Sequence, residues 1–262
     1  MEQLDLKPFV VTGCARSGTT YMAAVLSGLG LRFGHEVVFG PRTRGFDGWH
    51  GQHGDSSWLA APFLDQIGEA PVFHQIRHPL KVVRSLVGVR FFADRGPSYL
   101  HGDDLYTRAK WGVRERLMAA VHVERSDKGP RPHKVYREYV ATYAPELWDP
   151  PTEPERALLY WLTWTRKVIA TARPENYTAH HIELLDEHVI ADLLARVGLP
   201  VSPQHVALAM AKVPKDTNTR KVAALDWSDL PDTPLRREAE EYAAELGYVV
   251  TDPSVRPGAA AS

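Results

Sequence analysis

The residues with the most chemical content stand near the amino terminus, in VVTGCARSGTT at positions 10–20. A short apolar run stops at Gly13. A second glycine follows five positions later, at Gly18, and Thr19 and Thr20 come directly after it. A strand that ends in a glycine turn and opens a helix makes an anion site. The first N–H groups of the helix have no internal partner, and the helix dipole is positive there. Gly13 and Gly18 let the backbone approach an anion closely. Ser17, Thr19 and Thr20 supply hydroxyl donors, and Arg16 adds a permanent charge with several N–H groups. Two familiar uses of such a loop do not fit. An NTPase of the pattern G-x-x-x-x-G-K-[ST] needs lysine where this chain has Thr19, together with a Mg²⁺ site. A cysteine phosphatase loop needs arginine six positions after its cysteine, and six after Cys14 stands Thr20.

The elements that must carry this loop follow from the apolar pattern. Phe9, Val10 and Val11 read as a buried parallel strand, and Thr19 to Leu29 as the helix behind the loop. LRFGHE reads as a second strand and its exit. Residues 40–54, GPRTRGFDGWHGQHG, read as a glycine-rich loop, and DSSWLAAPFLDQIG as a short helix with cap-type residues at its start. PVFHQIR is the third strand. Pro79 opens a helix in PLKVVRSLVGVRFF, with Val82, Val83, Leu86 and Val87 on one face and Lys81, Arg84, Ser85 and Gly88 on another. Residues 94–151 mix charged helical stretches with a break at SDKGPRPHK. The strongest helix is TEPERALLYWLTWTRKVIATA. Thr152 and Glu155 have capping-box spacing, and Leu158, Trp161, Leu162, Thr165, Val168 and Ile169 form its apolar face. YTAHHIEL reads as a strand, and DEHVIADLLARVG, SPQHVALAMAKV and TPLRREAEEYAAELG as helices. Strands alternating with helices predict an α/β fold, a single domain over 1–250 with a central, mainly parallel sheet flanked by helices. The tail TDPSVRPGAAAS, within 251–262, has nothing to bury and is expected to be disordered.

Composition narrows the function classes. The 262 residues carry a net charge of −1, which gives no basic field for nucleic acid. The one cysteine excludes an internal disulfide and a Cys-rich zinc site, and the twelve histidines contain no H-E-x-x-H. MEQLDLKP has no apolar core of signal-peptide length, and no apolar run approaches the ~20 residues of a membrane helix. The expectation is a cytoplasmic protein with no membrane or nucleic-acid partner; oligomeric state is not legible.

GCARSGTT resembles the 5′-phosphosulfate loop of sulfotransferases that use 3′-phosphoadenosine 5′-phosphosulfate (PAPS), which commonly read P-K-S-G-T-T or x-R-S-G-T-T. Their second motif is an arginine followed eight residues later by a serine, and IRHPLKVVRSL supplies Arg77 and Ser85 at that spacing. ALLYWLTWTRKVI is similar to the long Trp-bearing helix of bacterial and tyrosylprotein-type members. HIELLDEHVIADLLARVGLP resembles their late strand and helix, and KDTNTRKVAALDWSDL their late nucleotide-covering loop, without the R-K-G-x-x-G form of the cytosolic enzymes. The resemblance spans nearly the whole chain and implies a P-loop-like fold. It implies PAPS as cofactor, Gly13, Arg16, Ser17, Gly18, Thr19 and Thr20 around the 5′-phosphosulfate, Arg77 and Ser85 on the 3′-phosphate, and no metal. Arg90 and Arg220 are weaker nucleotide candidates whose spacing departs from the family pattern.

The acceptor expected from the resemblance is a hydroxyl or amine of a small molecule or carbohydrate. Its proton needs a base near the loop. Parallel strands place their carboxyl ends on one edge, so Glu36, at the exit of the second strand, is expected beside Arg16. The resemblance agrees, because tyrosylprotein and some bacterial carbohydrate members carry a glutamate base after this strand. Arg16 would stabilise the leaving group, and His35 would orient Glu36 or touch the acceptor. A histidine base, as in the cytosolic enzymes, keeps His50, His53 and His74 open. Trp49 or Trp58 stacks on an acceptor ring or else packs in the core, whereas Trp161 and Trp164 read as core and Cys14 as a buried filler. A P-loop small-molecule kinase and a non-catalytic nucleotide-binding protein are the alternatives.

Overall fold

The computed structural model describes residues 6–93, 132–214 and 223–249. Five strands form one sheet: β1 (Phe9–Thr12), β2 (Phe33–His35), β3 (Gly54–Ser56), β4 (Val72–Ile76) and β5 (Tyr177–His181). Their order is β2-β3-β1-β4-β5, and every pair is parallel. The helices are α1 (Thr19–Gly28), α2 (Pro79–Gly88), α3 (Pro132–Tyr143), α4 (Glu153–Thr171), α5 (Glu187–Arg196), α6 (Pro203–Lys212) and α7 (Pro234–Glu245). The expected α/β architecture is therefore present, as a single domain with helices on both faces of the sheet.

Alternation along the strands divides the core into two layers. Phe9, Val11 and Phe73 pack with Met22 and Leu26 of α1, Ile190 and Leu194 of α5 and Val206 of α6. Val10, Val72 and Ile76 face the opposite way, with Val82, Val83 and Leu86 of α2 and Leu158, Trp161 and Val168 of α4. Helix α4 carries its predicted cap: the Thr152 hydroxyl bonds Glu155 Oε2 at 2.7 Å and accepts from the Glu155 N–H at 3.4 Å. One residue of its predicted apolar face does not belong there, since Ile169 is 42% exposed at the end of the stripe.

The main departure from the sequence reading is β3. DSSWLAAPFLDQIG does not form one helix. Gly54, Asp55 and Ser56 form a fully buried strand, and a 3₁₀ segment follows over Trp58–Gln66. Pro62 lies inside that segment and denies it a regular α ladder. The cap is Ser57, whose Oγ accepts from the Leu59 N–H at 3.1 Å. β3 has no apolar side chain, and hydrogen bonds offset its burial. Ser56 donates to the Thr19 carbonyl at 2.8 Å, and the Asp55 carboxylate accepts the backbone N–H groups of Val37, Val38 and Phe39 at 3.1, 3.1 and 2.9 Å. Because β3 inserts between β2 and β1, the exit of β2 lies two strands from the β1 loop. Residues 94–131, the 215–222 part of the late loop with Arg220, and the tail 251–262 lie outside the described residues. Among the described residues, no helix is long and apolar enough to cross a membrane.

Candidate functional site

The loop between β1 and α1 is held from three sides. The Ser17 N–H bonds the Cys14 carbonyl at 3.1 Å, closing the turn. The Ala15 N–H donates to the Tyr160 hydroxyl of α4 at 2.6 Å, and the Gln75 side chain of β4 donates to the Ser17 carbonyl. Glycine is required twice. A Cβ on Gly13 would lie 2.3 Å from the Gln75 carbonyl oxygen, and Gly18 sits at φ +94°, in the left-handed region. Arg16 also has positive φ, at 73°, a conformation that carries strain for a residue with a Cβ. Gly18 caps α1 with no side-chain hydrogen bond, whereas α2, α4, α5, α6 and α7 are capped by His78, Thr152, Asp186, Ser202 and Thr233. Ser17 is fully buried, and its hydroxyl has no hydrogen-bond partner among the described residues. Cys14 is buried as expected, and burial pushes its thiol up to about 12.

The second motif meets the first in space. Ser85, on α2, accepts from Arg16 Nε at 2.9 Å. Arg77, just past β4, donates through Nη1 to the Arg16 carbonyl at 2.6 Å, and its own carbonyl accepts the Trp161 indole N–H at 2.9 Å. Burial pulls the Arg77 guanidinium below its ordinary value, while the nearby Glu183 carboxylate acts in the opposite direction. Glu183 was missed by sequence reasoning. It follows β5, accepts from the His78 N–H and the Tyr248 hydroxyl, each at 3.1 Å, and pairs with Lys81 Nζ at 3.4 Å. Gln75 was missed as well; it also bonds His180 Nε2 at 3.3 Å.

The candidate base lies farther along the same edge. Glu36 was expected beside Arg16, but β3 separates the two strands. His35 lies between Glu36 and the loop: its Nε2 is 3.1 Å from Thr20 Oγ1, 3.4 Å from Thr19 Oγ1 and 3.9 Å from Glu36 Oε1. The Glu36 side chain is 5% exposed and that of His35 27%, so the imidazole is the wetter of the two. Glu36 has positive φ, at 60°, and the Asp55 clamp on the next three N–H groups holds that turn. Its Oε1 accepts the Trp58 indole N–H at 3.1 Å, and its Oε2 accepts the Tyr136 hydroxyl.

The remaining candidates divide by position. His53 precedes β3, where its ring takes the Arg32 N–H at 3.2 Å, so it stands at the amino end of the strands, opposite the loop. His50 is exposed and pairs with Asp47 at 2.9 Å. His74 is buried inside β4 against the Tyr177 hydroxyl, and burial drives its imidazole down to about 3. Of the histidines the sequence singled out, His35 is the one whose ring meets the loop hydroxyls. Trp58 is a core residue at 4% exposure and cannot stack on an acceptor, while Trp49 is half-buried against Phe39 and Phe46. Trp161 and Trp164 are core, as expected. Arg90 is exposed beyond the end of α2, and Arg220 lies outside the described residues. Among the described residues, no group of three or more His, Cys, Asp or Glu stands together as a metal site would need.

Comparison with known proteins, by family models, curated sequences and solved structures, found no match.

Proposed function

We propose that the chain is a PAPS-dependent sulfotransferase acting on a hydroxyl or amine of a small-molecule or carbohydrate acceptor. The observation that carries this reading is the Arg16–Ser85 hydrogen bond. Two motifs that are 69 residues apart meet at the carboxyl edge of the β1–β4 pair, where parallel α/β sheets take their ligands. Arg16, Arg77, a helix start without a side-chain cap and the buried Ser17 hydroxyl, which has no hydrogen-bond partner among the described residues, lie along this edge. Those groups fit a ligand with two separated phosphate-type anions. Ser17, Thr19 and Thr20 with the α1 N–H groups suit the 5′ end, and Arg77 with Ser85 suits the 3′-phosphate.

The donor brings a sulfuryl group already activated by its bond to the 5′-phosphate. As the acceptor oxygen bonds to sulfur, the S–O bond to that phosphate breaks, the acceptor proton passes to Glu36, and 3′,5′-ADP leaves. The chain's work is positioning and charge stabilisation, as in loose phosphoryl-type transfer. In this reading Arg16 stabilises the negative charge that grows on the leaving oxygen, which its permanent charge and position in the loop suit. His35 Nε2 stands between Glu36, at 3.9 Å, and the Thr19 and Thr20 hydroxyls. A thermal-shift comparison of 3′,5′-ADP, ADP and ATP with Mg²⁺ tests the reading. Saturation at ~100 times Kd stabilises the fold by about 2.7 kcal/mol, and the expected order puts 3′,5′-ADP first. Stabilisation by ATP that depends on Mg²⁺ would point to a kinase. Nucleotide binding without turnover of any acceptor would point to a non-catalytic protein.

A further inference from the structure

We infer that Tyr136 and Trp58 are positioning residues for Glu36, a pair of ring donors that fixes the orientation of its carboxylate. The role rests on Glu36 being the base proposed above. Each oxygen of the carboxylate accepts one ring donor: Oε1 takes the Trp58 indole N–H at 3.1 Å, and Oε2 takes the Tyr136 hydroxyl. Two anchors on two oxygens stop rotation of the carboxyl group, so its remaining lone pairs point in directions set by the fold. A hydrogen bond to the charged form favours that form. The anchors are themselves rigid. The Trp58 and Tyr136 rings stack with centroids 6.0 Å apart at 18°. Trp58 also packs against Tyr139, Tyr160 and Trp164, and its carbonyl accepts the Trp164 indole N–H at 2.8 Å. Glu36 is thus set into an aromatic block shared by the 3₁₀ segment, α3 and α4.

The titratable groups around Glu36 include His35, 3.9 Å away, Asp55 of β3, Tyr136 of α3 and Tyr160 of α4. A pH effect must therefore be assigned by substitution. Tyr136→Phe keeps the ring and its stack and removes only the hydroxyl. The protein should stay folded, and 3′,5′-ADP should stabilise it as it does the wild type. In carboxyl-labelled protein, the ¹³C resonance that Glu36→Gln deletes should titrate about one pH unit higher in Tyr136→Phe than in wild type. The acid limb of kcat/KM should move up with it, and kcat should fall about tenfold as the carboxyl gains rotation. An unmoved ¹³C midpoint overturns the inference. So does a variant that melts early and binds nucleotide weakly with its midpoint unchanged, because that is a packing role only. The NMR readout does not depend on turnover. If the wild type transfers no sulfuryl group, the proposed function fails while the clamp on Glu36 is still decided.

Discussion

Gly18→Ala separates two costs that the structure predicts at one position. Gly18 sits at φ +94°, so any side chain there pays for a left-handed backbone, about 1–2 kcal/mol. The new methyl would also lie 2.9 Å from Gln75 Nε2 and 2.9 Å from Ile182 Cδ1. The Gln75 amide would have to withdraw from the Ser17 carbonyl, losing a buried bond of about 1 kcal/mol. Gly30 is the internal control. It has φ +86°, with nothing within 4 Å of an added Cβ. Gly30→Ala therefore carries the backbone cost alone, and the gain from a stiffer unfolded chain is common to both variants and cancels. For a chain of this size, 1 kcal/mol corresponds to roughly 2–4 °C in Tm. Gly18→Ala should accordingly melt about 2–4 °C below Gly30→Ala by calorimetry or circular dichroism, and urea titration should give the same ranking. Equal losses for the two variants would refute the reasoning, because they would mean that the loop accepts a methyl without releasing Gln75.

Three further outcomes test other parts of the account. Arg77→Ala should weaken 3′,5′-ADP by roughly 10- to 150-fold, the loss of a charged hydrogen bond of about 1.5–3 kcal/mol, and should leave 5′-AMP nearly unchanged; equal losses in a calorimetric titration would take the 3′-phosphate away from Arg77. Glu36→Gln should bind 3′,5′-ADP as the wild type does and lose most turnover together with the acid limb of kcat/KM, since the base works only when deprotonated; retained kcat alongside loss in His35→Ala would make the histidine the base. The Cys14 thiol, buried and pushed up to about 12, should resist a disulfide reagent at pH 8 in the native protein and react at once in guanidinium chloride; fast labelling of the native protein would show that the loop opens.

The sequence made the apolar parts of this fold legible and the polar parts illegible. β1, β4, α2 and α4 carry side chains that must be buried, and their period reveals them. The loop glycines were readable because a close approach and a left-handed turn each leave a glycine behind. β3 was not readable. Its Asp55 and Ser56 are buried by virtue of partners at Val37–Phe39 and Thr19, and no local pattern records partners that distant. Missing that strand put β2 directly beside the β1 loop, whereas β3 lies between β2 and β1. Tyr136 and Trp58 were invisible as partners of Glu36 for the same reason, since they stand 100 and 22 residues from it. The motif pair was expected to hold two different phosphates of one nucleotide, and the direct contact of Arg16 with Ser85 was not legible; the packing of α2 against α4 and the sheet brings the two side chains within 2.9 Å.

The central claim is that the loop of β1 and the arginine of β4 read a nucleotide through both of its phosphates. Isothermal titration of the wild-type protein with 3′,5′-ADP and with 5′-AMP measures that directly, because the two ligands differ only in the 3′-phosphate. A phosphate held by Arg77 and Ser85 should tighten binding by roughly 10- to 150-fold, from a charge-assisted hydrogen bond of about 1.5–3 kcal/mol. Equal affinities for the two ligands, or no heat from either at millimolar concentration, would contradict the account.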